Sequence, residues 1–251
     1  MRVIHAVIKA LNTFTRVNIR IKNKDEADGQ LFLINLITAG LLTGFLWALI
    51  YQLLIKISAP VIITAALISA FPLWFTRYIH LEGFADTSSD ILSIKGGYDR
   101  EKNKIYGFIS ISVMLILSFA GAYTFVENMG SPLLLFFLPI LSRELAVISV
   151  FLFPALPDEE AKYYHSSVKM DYVVILLILL IATIILPLTI CGISGSALVF
   201  GASVSFILAT VHVRKALGLS GDSTGYGITI SEVFGMLILG ISYDFISKLT
   251  F

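Results

Sequence analysis

The stretch YVVILLILLIATIILPLTI, from Tyr172 to Ile190, carries no charged side chain. About 20 mostly apolar residues are needed for a helix to cross the hydrocarbon core of a bilayer. Inside that core every backbone N–H and C=O must be paired, which only helices and closed barrels achieve. The run is continuous rather than alternating, so it reads as a spanning helix and not as a barrel strand. Six further stretches share its character: Leu31–Ile55, Pro60–Ile79, Ile105–Val126, Pro132–Phe153, Ser194–Val213 and Tyr226–Ser247. Turn formers separate them: Ser58-Ala59-Pro60, Gly130-Ser131-Pro132, Pro154 with Pro157, Gly192, and the segment from Gly218 to Gly225. So little chain divides the fifth span from the sixth that the two are expected to form a tight hairpin.

Composition agrees. Of 251 residues 57% are hydrophobic and only 14% charged, and the mean hydropathy is +0.89. A water-soluble domain of this size needs a larger polar share to cover its surface. The expected fold is therefore all-α: a polytopic membrane helical bundle of about seven transmembrane helices. It forms one membrane domain over residues 1–251, with an arm at 1–24 and the bundle at 31–247. The lone cysteine, Cys191, excludes an intrachain disulfide and a cysteine-ligated metal cluster. The first thirty residues lack the apolar core of a cleavable leader, so none is expected. Nothing in the chain points to nucleic acid, and a homo-oligomer is left open.

Charge sets the orientation. Fifteen of the eighteen Lys and Arg residues fall on one side of this topology. They are Arg2, Lys9, Arg16, Arg20, Lys22 and Lys24 on the arm; Arg77, Lys95, Arg100, Lys102 and Lys104 after the second span; Lys162 and Lys169 after the fourth; and Arg214 and Lys215 after the sixth. Lys56 and Lys248 fall on the other side, and Arg143 lies within a span. Lysine and arginine collect in cytoplasmic loops, so the protein is expected in the plasma membrane with its N-terminus and polar site cytoplasmic. On the arm, Val3, Ala6, Val7, Ala10, Leu11, Phe14 and Val17 recur at helical spacing. This predicts an interfacial amphipathic helix lying on the membrane lipid.

Function is carried first by His80-Leu81-Glu82-Gly83-Phe84-Ala85-Asp86-Thr87-Ser88-Ser89-Asp90, which is expected to continue from the second span without a helix breaker. Glu82, Asp86 and Asp90 stand at i, i+4 and i+8, about 40° apart in succession on a helix, so three carboxylates share one face. Like charges at that spacing repel, and more strongly beside low-dielectric lipid, unless a cation neutralises them. Carboxylates among small neighbours suit Mg²⁺, with Mn²⁺ as a substitute. The plain alternative is a solvated helix end paired with Lys95 and Arg100.

A second cluster runs from Gly218 through Ser220, Gly221 and Asp222 to Gly227 and leads into the last span. Its glycines allow backbone N–H groups to approach a ligand, and a helix N-terminus favours anions; read plainly, it is an ordinary glycine-rich loop. Glu232, inside the last span, is a costly carboxylate and marks a functional position. Arg143 and Glu144 lie midway along the fourth span, where they form a buried pair with other polar groups or put Arg143 against a substrate phosphate. His80 reads as a supporting or interfacial histidine. Arg214 and Lys104 are basic groups at the same end, either phosphate ligands or ordinary positive-inside charges. The scattered histidines His5, His165 and His212 suggest no zinc site.

These residues resemble a known family. HLEGFADTSSD resembles the HLDGLADTxDG motif of the cobalamin synthases, the adenosylcobinamide-GDP ribazoletransferases. Ala10-Leu11-Asn12-Thr13-Phe14-Thr15-Arg16 resembles the family's N-terminal A-x-x-F-x-T-R stretch, and Ser142-Arg143 its S-R. Leu217-Gly218-Leu219-Ser220-Gly221-Asp222-Ser223-Thr224-Gly225 resembles its L-G-G-x-T-G-D-x-x-G, with Glu232 at the right distance. The resemblance runs from Ala10 to Leu239. Glu82 stands where the family has aspartate, Asp90 follows the usual third acid by one residue with Ser89 in its place, and Thr229 replaces the first acid of the last helix. The D-S-R-x-G motif is shortened to a stretch that keeps Lys104.

The resemblance implies a phosphotransferase. A hydroxyl of α-ribazole, or of its 5′-phosphate, attacks the cobinamide-side phosphate of adenosylcobinamide-GDP, and GMP leaves, with Mg²⁺ required. It also implies similarity to the CDP-alcohol phosphotransferases, whose acidic helix face holds metal and accepts the attacking proton. On that basis Glu82, Asp86, Asp90 and Asp222 are the expected metal ligands, with Asp90 and Asp86 catalytic and Asp90 the base. Arg143, Arg214 and Lys104 would meet phosphate, and His80, Ser220, Gly221 and Glu232 would complete the site. Two other readings stand beside this one: a CDP-alcohol-type enzyme making a lipid, and an ion-coupled transporter.

Overall fold

The computed structural model describes residues 2–20, 29–96, 100–152, 169–218 and 220–249. Lys22, Lys24, Lys162 and His165 lie outside them, as do the side chains of Lys95, Arg100 and Lys102. In chain order the helices are α1 (Arg2–Phe14), α2 (Gly29–Ile34), α3 (Leu36–Lys56), α4 (Val61–Phe75), α5 (Ile79–Gly96), α6 (Arg100–Glu127), α7 (Pro132–Leu152), α8 (Met170–Ala216) and α9 (Gly221–Leu249). The bundle is all-α, and the protein is an integral membrane protein. Five stretches are long and apolar enough to cross a bilayer, or six with the bent pair α4–α5 counted as one crossing. Dividing α8 at Gly192, whose φ of 55° and ψ of −124° are not helical, brings the number to the expected seven. The two limbs of α8 touch: a methyl group at Gly195 would run into the Pro187 carbonyl. That contact, eight residues apart in sequence, requires the chain to reverse, as the hairpin reading predicted.

Helices in lipid gain little from the hydrophobic effect between themselves and associate through close packing at small residues. α7 and α9 do this at the centre. Leu134, Leu135, Leu138 and Leu141 of α7 are fully buried, and α3 reaches α7 through Gly40 and Gly44, where a methyl group would strike the backbone at Pro139 and Phe136. α9 lies against α6 where Gly121 faces Leu237 and Gly240 faces Gly121. It lies against α8 where the Ser231 hydroxyl donates to the Ala202 carbonyl at 3.0 Å. The outward side chains, such as Phe45, Ile62, Phe108, Ile178 and Phe200, are apolar and exposed, as a lipid-facing surface requires.

Two expectations are corrected. The acidic segment does not continue from the second span: α4 stops at Phe75, and α5 leaves it at 86°. The stop is a helix cap in which the Tyr78 N–H donates to the Leu73 carbonyl at 2.9 Å and the Arg77 N–H to Trp74 at 3.1 Å. That pair of bonds closes the last turn of a helix. Arg77 and Tyr78 take φ of 56° and 62°, in the left-handed region that costs a side-chain-bearing residue about 1–2 kcal/mol. Glycine is the usual residue there, and with none present the sequence carries no sign of the break. The second correction concerns the length of the arm helix. α1 ends at Phe14, short of Val17. Its Ala6 and Ala10 are wholly buried while the apolar Val3 and Ile4 are exposed.

Candidate active site

α5 lies across the end of the bundle at which most basic residues collect. It is 18 residues long and bears three acids, and it turns away from α4 rather than extending it. One face is buried: His80, Leu81, Phe84, Thr87 and Ser88 are each at most 9% exposed. Two crossings hold that face down. At the first, a methyl group on Gly83 would fall 2.8 Å from the Asp222 carbonyl oxygen. Phe84 stacks on Tyr226 there at 5.1 Å, and the Thr229 hydroxyl donates to the His80 carbonyl at 3.0 Å. At the second, α6 passes α5 where Gly107 meets the Ala85 carbonyl, 3.1 Å from a methyl group placed there.

The other face of α5 is what these contacts leave outside. Glu82, Asp86 and Asp90 are all exposed, on one side as the spacing predicted. The crossing at Gly83 sets Asp222, in the first turn of α9, beside them. Burial first, then the charges of Asp222, Glu82 and Asp90, push the Asp86 carboxyl above its ordinary range. The other three carboxylates therefore bear on Asp86. The α9 end is fixed by a reciprocal cap: the Ser220 N–H donates to Ser223 Oγ at 2.6 Å, and the Ser223 N–H donates to Ser220 Oγ at 3.2 Å. Gly221, next in the chain, is exposed with nothing within 4 Å of a methyl group there.

Among the described residues no three His, Cys, Asp or Glu side chains are placed so as to hold a metal ion together. Mg²⁺ does not need three: it commonly takes one or two carboxylates and fills its shell with water and substrate phosphate oxygens. Exposed carboxylates along one helix face, with Asp222 beside Asp86, fit such an open site.

Below the exposed stripe lies a separate buried pair. Arg143 is wholly buried and ion-paired through Nη1 with Glu232, whose side chain is 12% exposed. The Ser142 hydroxyl donates to Glu232 Oε1 at 3.1 Å, and Arg143 Nη1 donates to the Pro139 carbonyl at 3.0 Å. Arg143 Nε and Nη2 find no partner among the described residues. Burial and, second, the Arg143 charge hold His80 well below the ordinary histidine range. Glu232 also lines a small cleft with Trp47, Ser69, Leu81, Ser118 and Thr229. Glu144 turns the other way and accepts a hydrogen bond from the Thr183 hydroxyl at 3.0 Å.

The sequence-predicted residues thus divide by place. Glu82, Asp86, Asp90 and Asp222 come together; Ser220 and Gly221 open the helix that carries Asp222. Lys104 is exposed one turn before Gly107, and Arg214 is exposed in the last turn of α8. Arg143 and Glu232 find each other, with His80 close enough to feel the arginine. Sequence reasoning gave Thr229, Phe14 and Arg16 no place in the site. Thr229 is the hydroxyl that ties α9 to α5, and Phe14 stacks on the His80 ring at 6.3 Å. The Arg16 side chain donates from Nε to the Trp74 carbonyl at 2.6 Å.

Fold and site together define an all-helical membrane protein with an acidic face at one end of its bundle. The chain belongs to the cobalamin-5-phosphate synthase family, whose pattern it matches over residues 6–240. It is similar to the adenosylcobinamide-GDP ribazoletransferase of Clostridium perfringens strain SM101, with 30% identity over 214 residues, 80% of this chain and 84% of that protein. The enzyme of the same name from Desulfitobacterium hafniense strain Y51 is 32% identical over 210 residues, 78% of this chain and 80% of its own. That of Clostridium botulinum strain Alaska E43 is 28% identical over 209 residues, 78% and 81%. No solved structure matches the chain. The protein is a transferase of cobalamin synthesis.

Proposed function

We propose that the protein transfers the adenosylcobinamide phosphate of adenosylcobinamide-GDP to a hydroxyl of α-ribazole or its 5′-phosphate, releasing GMP. Membership of the family supports the substrates, and the exposed face of Glu82, Asp86 and Asp90 beside Asp222 is the observation that supports the chemistry. The acceptor oxygen forms a bond to the cobinamide-side phosphorus, the bond from that phosphorus to the bridging oxygen breaks, and GMP leaves with the bridging oxygen. The acceptor's proton passes to a carboxylate of the stripe, and Asp90 is assigned that role. Carboxylates drawn from Glu82, Asp86, Asp90 and Asp222 would hold Mg²⁺, which would supply positive charge to the diphosphate and the leaving group.

The remaining groups bind and orient. Lys104 and Arg214 flank the acidic face and meet substrate phosphate. Arg143, tied to Glu232 beneath the stripe, adds positive potential from below or reaches the phosphate when substrate enters. The N-terminus of α9, with Ser220 and Gly221, offers backbone N–H groups to an anion. The basic ends of the helices face the cytoplasm in this reading, the compartment that supplies nucleotide-activated substrates. The test is GMP release by purified protein given adenosylcobinamide-GDP, Mg²⁺ and either α-ribazole or its 5′-phosphate. Absence of GMP beside an active relative refutes the assignment, and the faster of the two acceptors names the natural one.

A further inference from the structure

The bend between α4 and α5 sets where the acidic face lies, and it is a costly one: two successive residues with side chains, Arg77 and Tyr78, sit at positive φ. Strained backbone persists where its surroundings over-determine it. The surroundings here come from the far end of the sequence. The closing bonds of the α4 cap use the carbonyls of Leu73 and Trp74 and leave that of Phe75 to find another donor. The Arg16 backbone N–H supplies it at 2.8 Å. The Arg16 side chain donates from Nε to the Trp74 carbonyl at 2.6 Å, and its guanidinium lies 4.6 Å over the Trp74 ring.

Two residues earlier the same arm touches the other side of the bend. Phe14 stacks on His80, the second residue of α5, with ring centroids 6.3 Å apart, and on Phe32 of α2 at 5.4 Å. The arm itself is braced. Asn12 donates from Nδ2 to the Ile19 carbonyl and accepts from the Ile19 N–H, both at 2.8 Å, and Thr15 is wholly buried. One rigid segment therefore grips both α4 and α5 across the break.

We infer that Arg16 and Phe14 are positioning residues for the transfer reaction: they staple the α4–α5 bend and so hold the Glu82–Asp86–Asp90 face against Asp222. Neither touches the reacting groups. The inference rests on the transfer reading for its kinetic consequence, while its geometric core is independent of substrate.

The test keeps the two apart. In a Cys191→Ser background, spin labels at the lipid-exposed positions Ile62 of α4 and Ile94 of α5 report the bend as an inter-label distance. With Arg16 intact a single narrow distribution is expected. Arg16→Met and Phe14→Leu should each broaden or shift it. In the same preparations kcat should fall about tenfold to a hundredfold, the range that misplacement by about 1 Å produces, with KM for the donor within about twofold. Arg16→Lys, which restores charge and a donor, should recover part of kcat. Ile4→Ala on the same arm, at an exposed side chain, should change neither reading. A distance distribution in Arg16→Met and Phe14→Leu identical to that of the parent overturns the staple. Loss of kcat that is matched by an equal rise in KM, or by loss of folded protein in both variants, overturns the positioning role. No GMP from the parent refutes the transfer reading instead, and the distance measurement then decides the staple by itself.

Discussion

Gly83→Ala is the sharpest perturbation of the acidic site that touches no acid. Its new methyl group would lie 2.8 Å from the Asp222 carbonyl oxygen and 3.0 Å from Asp222 Cα. Ordinary contact begins at 3.4 Å, so α5 and α9 must part by about 0.6 Å, and the neighbour is backbone rather than a side chain that can rotate away. Overpacking of this kind costs about 1–3 kcal/mol, offset by the roughly 1 kcal/mol by which alanine exceeds glycine as a helix former. A small net loss of stability is therefore expected. The catalytic loss should be larger in proportion, because the parting acts at the carboxylate pair itself: kcat for GMP release about tenfold lower, equal to about 1.4 kcal/mol of barrier, with KM little changed. Gly221→Ala is the comparison, at the first residue of α9 with no atom within 4 Å of the added methyl group, and its thermal unfolding in detergent should equal or exceed the parent's. If Gly83→Ala keeps kcat within about twofold and melts with the parent, the close crossing is not what sets the acidic face.

Other outcomes follow from the same geometry. Glu232→Gln leaves Arg143 buried without its counter-charge, and breaking such a pair from one side costs about 3–5 kcal/mol; folded yield and unfolding temperature should drop, and Arg143→Met with Glu232→Leu should recover much of both. Asp86 has its carboxyl pushed upward from an ordinary 3.8, so the folded state binds that proton more tightly than the unfolded one. Its contribution to stability is present in acid and lost as pH rises through the raised pKa. Chelated protein should therefore lose stability over that window, and Asp86→Asn should flatten the loss. Chelation should stop GMP release, with Mg²⁺ or Mn²⁺ restoring it. Asp90→Asn should lower kcat at least about a hundredfold, the lower end of general-base contributions, and leave donor KM within about twofold; a near-normal rate would move the base to another acid.

The spans were legible because each is a charge-poor run bounded by turn formers, and the hairpin because Gly192 stands between two such runs. The acidic face was legible too, since spacing of four residues places side chains on one side of a helix whatever the helix packs against. The bend was not, because its left-handed positions are filled by Arg77 and Tyr78 rather than glycine. Nor was the partner of Glu232: Arg143 lies 89 residues away, and an isolated intramembrane charge states only that it needs a counter-charge. Arg16 read as one more positive-inside residue because its work is done by hydrogen bonds to the backbone of a helix distant in sequence. Thr229 was noted only as an acid missing from the family pattern, yet its hydroxyl makes the tie to His80 that a carboxylate could not donate.

The hairpin at Gly192 has a use outside catalysis. The chain's one thiol, Cys191, sits at that turn and is partly exposed, at the end of the bundle opposite the acidic face. The native protein thus carries a single chemical handle whose accessibility reports sidedness. A membrane-impermeant maleimide applied to intact cells and then to lysed ones reads the orientation of the whole bundle, without an engineered tag and without a change near the site.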